Sequence, residues 1–467
     1  MAADARRGPA FFQASAYQTF RFLDRELDSD GLVTLRYALD DELFFSERYR
    51  LPVAGPLSAE EVDRVQGLLA LLHWVAGVSY FKTAAPPRVA FEDGEPPPAA
   101  VGELLDALYS EGLGEFAYTN RLARLPRPSF GSMMAGDGEG SSPAPAQGAS
   151  TRALDPRRVL VPVGGGKDSA VAVEIVRRSG RELELFSVGD APPIARSVAV
   201  AGLPRLLVRR TLDPALGELN AAGALNGHVP VTAIVASVAL LTAALHGFDA
   251  VALANERSAS AGNLSWDGVE VNHQFSKSLR VERLLSAALR ELDAPVSAFS
   301  ILRPASELAI ARAFARMDAY HGAFTSCNTI FRLDPELRGA SWCCECPKCR
   351  FVYLALAPFS APPQLREIFG RDLLAEEHQF EGFALLCADG GHKPFECVGE
   401  EQESLAAVRL LGREPRWREH AVLRRLLGEV LPGRPPGEGD PGAVLGLSDD
   451  HEVPEVLMAD VSAVLGA

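Results

Sequence analysis

Val159-Leu-Val-Pro-Val163 runs without a break into Gly164-Gly-Gly-Lys-Asp-Ser169 and on into Ala170-Val-Ala-Val-Glu-Ile-Val-Arg-Arg178. The apolar run of five reads as a buried strand, and the segment after the glycines reads as a helix. Glycines let a backbone approach an anion closely, and the free N–H groups and dipole at a helix N-terminus then stabilise negative charge. Lys167 adds a point charge, Asp168 could hold Mg²⁺ and Ser169 could donate to a phosphate oxygen. The plainer reading is a glycine turn before a capped helix, because Asp and Ser are also good N-caps. The uninterrupted strand, Gly-Gly-x-Asp-Ser and helix favour phosphate. The spacing is not that of the Walker loop, which needs four residues between its first Gly and a Gly-Lys-Ser/Thr.

Outward from this loop, short β-type runs alternate with helical ones from about residue 157 to 359. That is the pattern of an α/β domain with a doubly wound parallel sheet. Strands are predicted at Val159–Val163, Leu183–Val188, Leu206–Arg209, Ala250–Ala254 and Ser297–Leu302. Helices are predicted at Asp168–Arg178, Pro230–His246, Val281–Leu292 and Ala305–Met317. Ligands of such sheets bind beyond the carboxyl ends of the strands. The polar stretch after Ala254, Asn255-Glu-Arg-Ser-Ala-Ser-Ala-Gly-Asn263 followed by Val271-Asn-His-Gln-Phe-Ser-Lys-Ser278, should therefore face the glycine loop. Asn255, Arg257 and Lys277 are candidate ligands of anionic groups, and Glu256 is a candidate catalytic carboxylate able to bind Mg²⁺. A solvated loop is the alternative.

Seven cysteines include Cys343-Cys-Glu-Cys-Pro-Lys-Cys349, with Cys327 upstream. Cys343, Cys346 and Cys349 with Cys327 would make a tetrahedral zinc site, closed and therefore structural. Cys344 is the spare and could exchange with Cys343; an iron–sulfur cluster or merely buried thiols are the other readings.

Residues 1–127 read as an α+β unit, in which Val33, Leu35, Tyr37 and Leu39 alternate with polar or small residues as in a half-buried strand. A helix then opens on the capping box Ser58-Ala-Glu-Glu61. Residues 128–156, with Gly136-Asp-Gly-Glu-Gly-Ser-Ser-Pro-Ala-Pro-Ala146, read as a flexible linker. Residues 360–467 read as a mixed region and helical tail broken by a flexible tether, Pro432 to Gly442. Lys and Arg number 46 against 61 Asp and Glu, a net charge of −15, which disfavours a nucleic-acid partner. The N-terminus has no secretory signal pattern, and the longest apolar run, Val229–Leu245, contains Pro230 and is shorter than the ~20 residues of a membrane span. A cytoplasmic protein with no membrane partner is expected.

Gly164–Ser169 resembles the Ser-Gly-Gly-x-Asp-Ser loop of the PP-loop ATP pyrophosphatases, an adenine nucleotide alpha hydrolase-like superfamily that cleaves ATP between its α and β phosphates. Gly164 departs from it, standing where a Ser is usual. The cysteine spacing resembles the zinc site of the PP-loop enzyme 7-cyano-7-deazaguanine synthase. Pro162–Ser169, Asn255–Ser260, Val271–Ser278 and Cys346-Pro-Lys-Cys349, joined by Gly391-His-Lys-Pro-Phe-Glu-Cys-Val-Gly399, are together similar to the MurL family of UDP-N-acetylmuramoyl-L-alanyl-L-glutamate epimerases of cell-wall synthesis. The resemblance implies ATP-dependent conversion of the terminal L-Glu of UDP-MurNAc-L-Ala-L-Glu to D-Glu, after a ligase has added L-Glu, with release of AMP and diphosphate. It implies that Gly164, Gly165, Gly166, Lys167, Asp168 and Ser169 hold the diphosphate with Mg²⁺. For proton transfer His273, Cys397 and Cys327 are the candidates, with Glu396 beside them. The rival readings are another PP-loop ligase or amidating enzyme and a non-catalytic nucleotide-binding regulator.

Overall fold

A computed structural model of the chain describes residues 12–92, 96–130, 151–266, 268–331, 338–339, 341–387, 394–435 and 437–466. The five predicted strands of the central region form as β5 (Arg158–Pro162), β6 (Glu182–Val188), β7 (Arg205–Thr211), β8 (Ala250–Leu253) and β11 (Ser297–Ser300). They hydrogen-bond in parallel in the order β11-β8-β5-β6-β7. The chain moves outward from β5 through β6 to β7, then returns to β5's other side to lay down β8 and β11.

Strands β5, β8 and β11 are largely buried because both sides are covered, whereas β6 and β7 also carry Glu182, Glu184, Arg205, Arg209 and Arg210. Val159, Val161, Leu185, Ala252 and Phe299 pack in one core with helices Lys167–Arg178, Glu307–Phe314, Pro347–Leu356 and Glu401–Arg413. Leu160, Phe186, Val251, Leu253 and Ala298 pack in a second with helices Gln66–Ala76, Val231–Leu245 and Leu279–Glu291. The long apolar run is thus an internal helix, and among the described residues no helix is long and apolar enough to cross a membrane.

The N-terminal segment extends the same sheet. Strands β1 (Thr19–Leu27), β2 (Leu32–Leu39) and β3 (Leu43–Arg50) form an antiparallel meander, and β4 (Arg88–Phe91) adds parallel to β1. Strand β3 pairs antiparallel with β7, so that nine strands form one mixed, parallel-dominated α/β sheet. A separate hairpin, β9 (Leu264–Trp266) and β10 (Val269–Val271), stands beyond β8. The capping box at Ser58 and Glu61 forms. Strand β2 is more buried than alternation suggests, with Ala38 and Thr34 covered as well as Val33, Leu35, Tyr37 and Leu39, because it lies between two other strands.

The Pro432–Gly442 run is not the flexible tether its composition suggests. Positive φ at Gly437 and Gly439 turns the chain onto helix Glu401–Arg413, where a Cβ on Gly439 would lie 2.5 Å from Leu405 Cβ. Arg434, its side chain 8% exposed, pairs with Glu401 at 2.7 Å. Residues 131–150 of the expected linker lie outside the described residues.

The β3–β7 seam is short, and a buried ion pair crosses it. Arg210 Nε donates to Glu47 at 2.5 Å, Tyr49 Oη donates to the same carboxylate, and Arg210 also reaches Ser79 Oγ at 3.1 Å. Glu47 is fully buried. An ion whose partner is removed in such a place costs about 3–5 kcal/mol. Arg210→Met is therefore expected to lower stability by that amount in urea denaturation, and Glu47→Gln on the same chain to recover part of it.

Candidate active site

The strand order reverses between β5 and β8, so the loops leaving their carboxyl ends part and open a crevice. The loop after β5 is the glycine run. Gly165 has φ +81°, and a Cβ there would sit 2.6 Å from the Pro193 carbonyl carbon and 2.7 Å from Ile194 N. The other wall is Thr325-Ser326: Thr325 N donates to Gly165 O at 3.0 Å, and a Cβ on Gly166 would meet Ser326 Oγ at 2.9 Å. A Cβ on Gly164 meets nothing within 4 Å. Gly166 N-caps helix Lys167–Arg178 without any side-chain hydrogen bond, which leaves first-turn amides for a ligand. Ser169 Oγ donates back to Gly166 O at 3.0 Å.

Lys167 does not project into solvent. It is 1% exposed and pairs with Glu307 and Asp168. Burial opposes its charge, but those carboxylates outweigh burial and hold it well above the usual lysine value. Glu307, equally buried, is held at about 2: burial works against ionisation, and Lys167 and Lys348 overcome it. Lys348 lies 3.7 Å from Glu307 and donates to the carbonyl of Cys397.

The loop after β8 supplies the other half. Glu256 is 1% exposed, its pKa raised chiefly by burial, and its Oε1 has no hydrogen-bond partner. Lys277 Nζ lies 3.1 Å from Gln274 Oε1 and 3.6 Å from Cys397 Sγ. Burial would push the Cys397 thiol up, yet Lys277, a hydrogen bond from His273 and Lys348 together bring it down to about 6. His273 moves the opposite way, to about 9, because hydrogen bonds to Cys397 and Glu115 exceed the cost of burial. His228 packs on it with ring centroids 4.4 Å apart and is lowered to about 4, by burial and by the neighbouring imidazolium.

Gly164–Ser169, Glu256, His273, Lys277 and Cys397 thus converge on one crevice. Asn255 and Arg257 point elsewhere: Asn255 Nδ2 donates to Ser300 Oγ at 3.0 Å, tying β8 to β11, and Arg257 donates at 3.0 Å to the carbonyls of Val444 and Gly446. Of the Gly391–Gly399 segment, residues 391–393 lie outside the described residues. Sequence reading passed over Glu307, Lys348, Glu115 and His228. Glu307 follows an N-cap serine and looks like an ordinary first-turn acid, and Lys348 looks like part of the cysteine knuckle.

Cys327, Cys343, Cys346 and Cys349 place their sulfurs within 4.8 Å of one another. Cys346 and Cys349 are 3.5 Å apart, Cys343 and Cys349 3.7 Å. Tetrahedral zinc with Zn–S of about 2.3 Å needs sulfur pairs about 3.8 Å apart, so this set fits a structural zinc. Cys344 turns away with φ +61°, its thiol 3.4 Å from Phe369 O and pushed up to about 11 by burial; Cys343 is the fourth member. Cys327 belongs to this group and not to the Cys397 side. The knuckle also reaches the crevice, since Lys348 N donates to Glu396 at 2.8 Å.

The crevice thus belongs to an α/β protein that brings a glycine loop with open first-turn amides near a thiol flanked by Lys277 and Lys348. The MurL N-terminal domain matches residues 11–301 and the MurL C-terminal domain matches residues 323–436. The chain belongs to the MurL family. It is 46% identical over 430 residues to a Salinispora tropica protein named UDP-N-acetyl-alpha-D-muramoyl-L-alanyl-L-glutamate epimerase, covering 90% of each. It is 45% identical to a Micromonospora protein of the same name (90% of this chain, 92% of the relative) and 39% identical to one from Xanthomonas oryzae pv. oryzae (97% and 98%).

Elemental analysis of the purified chain is expected to give about one zinc per chain, as four thiolates closed on one ion require. Cys349→Ser should lose that metal and lower the melting temperature.

Proposed function

We propose that this chain is an ATP-dependent epimerase that converts the terminal L-Glu of UDP-MurNAc-L-Ala-L-Glu to D-Glu in the cytoplasm, after a ligase has added the L-Glu. Family membership and the names of its relatives support the reaction. One juxtaposition carries the mechanism: Cys397, beside Lys277 and His273, shares a buried network of charge with the glycine loop through Asp168, Glu256 and Glu307.

A carboxylate opposes removal of a neighbouring proton because its charge repels the carbanion. In the proposed reaction the α-carboxylate of Glu attacks the α-phosphorus of ATP, a C–O–P linkage forms and diphosphate leaves. The amides of Gly165, Gly166 and the first turn of helix Lys167–Arg178 receive the diphosphate. Asp168 and Glu256 would hold Mg²⁺, and the unpartnered buried Oε1 of Glu256 fits that role. When bound, the ion offsets charge on the leaving group. Lys167, already paired with two carboxylates, acts from behind by fixing Asp168 at the loop.

The Cys397 thiolate then takes the α-proton, and the electron pair passes into the neighbouring acyl carbonyl. Solvent returns a proton on the opposite face, the Cys397 thiol gives its own proton up to solvent, and water hydrolyses the acyl–phosphate linkage to give D-Glu and AMP. His273 touches both Cys397 and Glu115, so it serves as the cation that steadies the thiolate. The sulfur loses its proton near pH 6 and the imidazolium near pH 9. Below the first the base is protonated, and above the second the supporting cation is lost, so kcat/KM should rise through about 6 and fall through about 9.

Incubation with UDP-MurNAc-L-Ala-L-Glu, ATP and Mg²⁺ in D₂O should give D-Glu deuterated at Cα with matching AMP. Cys397→Ser should reduce epimerisation by about 10²-fold or more. Unchanged L-Glu without AMP from folded protein would overturn the reading.

A further inference from the structure

Cys397 belongs to the C-terminal part of the chain, and one of its supporting groups, His273, is bound to a carboxylate of the N-terminal part. His273 Nδ1 hydrogen-bonds the carboxylate of Glu115, which stands on the short helix Gly114–Thr119, and the same ring hydrogen-bonds Cys397. A neutral imidazole has one N–H to give, and a ring that serves two anionic acceptors is best satisfied with both nitrogens protonated. The backbone that carries the ring is tied to the 394–399 segment, since His273 N donates to Asn263 Oδ1 at 2.7 Å and Asn263 Nδ2 donates to Pro394 O at 2.9 Å. Both Glu115 and His273 are 15% exposed at the side chain.

We propose that Glu115 is a positioning residue for Cys397, acting through His273: its carboxylate keeps the ring a cation, and that cation keeps the sulfur a thiolate.

The groups facing His273 are Glu115 from its helix, His228 from the turn before helix Val231–Leu245, and Cys397 and Glu396 from the 394–399 segment. Lys277 and Lys348 face Cys397 from the far side. His228 stays neutral and lies 3.8 Å from Glu115, so among these groups Glu115 is the anion that holds His273 without being its proton-transfer partner. With the carboxylate gone, burial favours neutral imidazole. Cys397 then keeps only the two lysines, and its ionisation moves up. Part of the charge that favours the thiolate is thereby supplied by the N-terminal family domain.

The inference rests on the epimerase reading only for its consequence in turnover, so its test uses no substrate. The rate of Cys397 alkylation by iodoacetamide, followed on the peptide that carries it by mass spectrometry, is measured against pH in wild type, Glu115→Gln and Glu115→Asp. Wild type should be half-maximal near pH 6. Glu115→Gln keeps an acceptor but no charge, and its midpoint should rise by about one unit, a tenfold loss of thiolate below the midpoint. Glu115→Asp should return the midpoint towards wild type. An unshifted midpoint in Glu115→Gln overturns the proposal, as would a fall of one bound metal equivalent in that variant, which would make Glu115, His228 and His273 metal ligands. A shifted midpoint in a wild-type background that does not epimerise supports this proposal and overturns only the reaction assigned above.

Discussion

Charge removed from water must be neutralised where it lies, and the crevice of this protein is organised by that constraint. Lys167 and Lys348 are each under a tenth exposed and Lys277 is half-buried, and they meet Asp168, Glu256, Glu307 and Cys397 in one cluster. These seven groups arrive on five elements: the helix after β5, the loop after β8, the helix after β11, the cysteine knuckle and the 394–399 segment. No two of them suffice, since removal of one leaves another charged and buried. The parallel sheet, its reversal of order at β5 and the closed thiol cluster are therefore requirements of the same network. Cys346 and Cys349 bracket Lys348, which pins Glu396 through its backbone and Cys397 through its ammonium group. A structural metal at these thiols would thus set the place of a chemical group that it does not touch.

Local pattern made the central strands, their helices and the glycine loop legible. Five apolar residues ending in glycine, followed by a helical run, carry their meaning within about twenty residues. What escaped lies in long-range pairing. Strands β1 and β3 carry Arg, Glu, Asp and Ser, and they pair as strands because neighbours on either side supply the hydrogen bonds. The β3–β7 seam, which makes one sheet of two halves, depends on an ion pair between residues 163 positions apart. The Pro/Gly tail misleads for a related reason: its composition describes a chain without contacts, and Arg434 and Gly439 have them.

The candidate site divides along the same line. Cys397, His273 and Lys277 could be picked out by residue type and neighbourhood, but their roles could not, because each role depends on a partner brought from far away in sequence. Arg257 illustrates the converse. A conspicuous arginine in a polar loop is used here to hold the carbonyls of Val444 and Gly446, anchoring the tail against the sheet. Gly164, where the PP-loop pattern that this segment resembles has serine, borders open space, so nothing in the packing demands its lack of a side chain. The departure leaves the neighbouring amides as donors and removes only a hydroxyl.

A carbon acid as weak as the α-position of an acylated glutamate asks for a base that is ionised at neutral pH and still basic. Those demands conflict for an isolated thiol, which is mostly protonated there, and for a thiol paired with one strong cation, which is ionised but feeble. The arrangement around Cys397 lies between these limits. Lys277 stands at 3.6 Å, beyond a tight ion pair, and His273 shares its proton-donating capacity with Glu115. Charge from the first is constant, while charge from the second is lent by a carboxylate on the N-terminal half of the chain. Splitting the support in this way keeps the sulfur ionised at neutral pH without binding its electron pair to either partner. In the proposed mechanism both family domains meet in one proton transfer: the C-terminal one brings the thiol and Lys348, and the N-terminal one brings Lys277, His273 and Glu115.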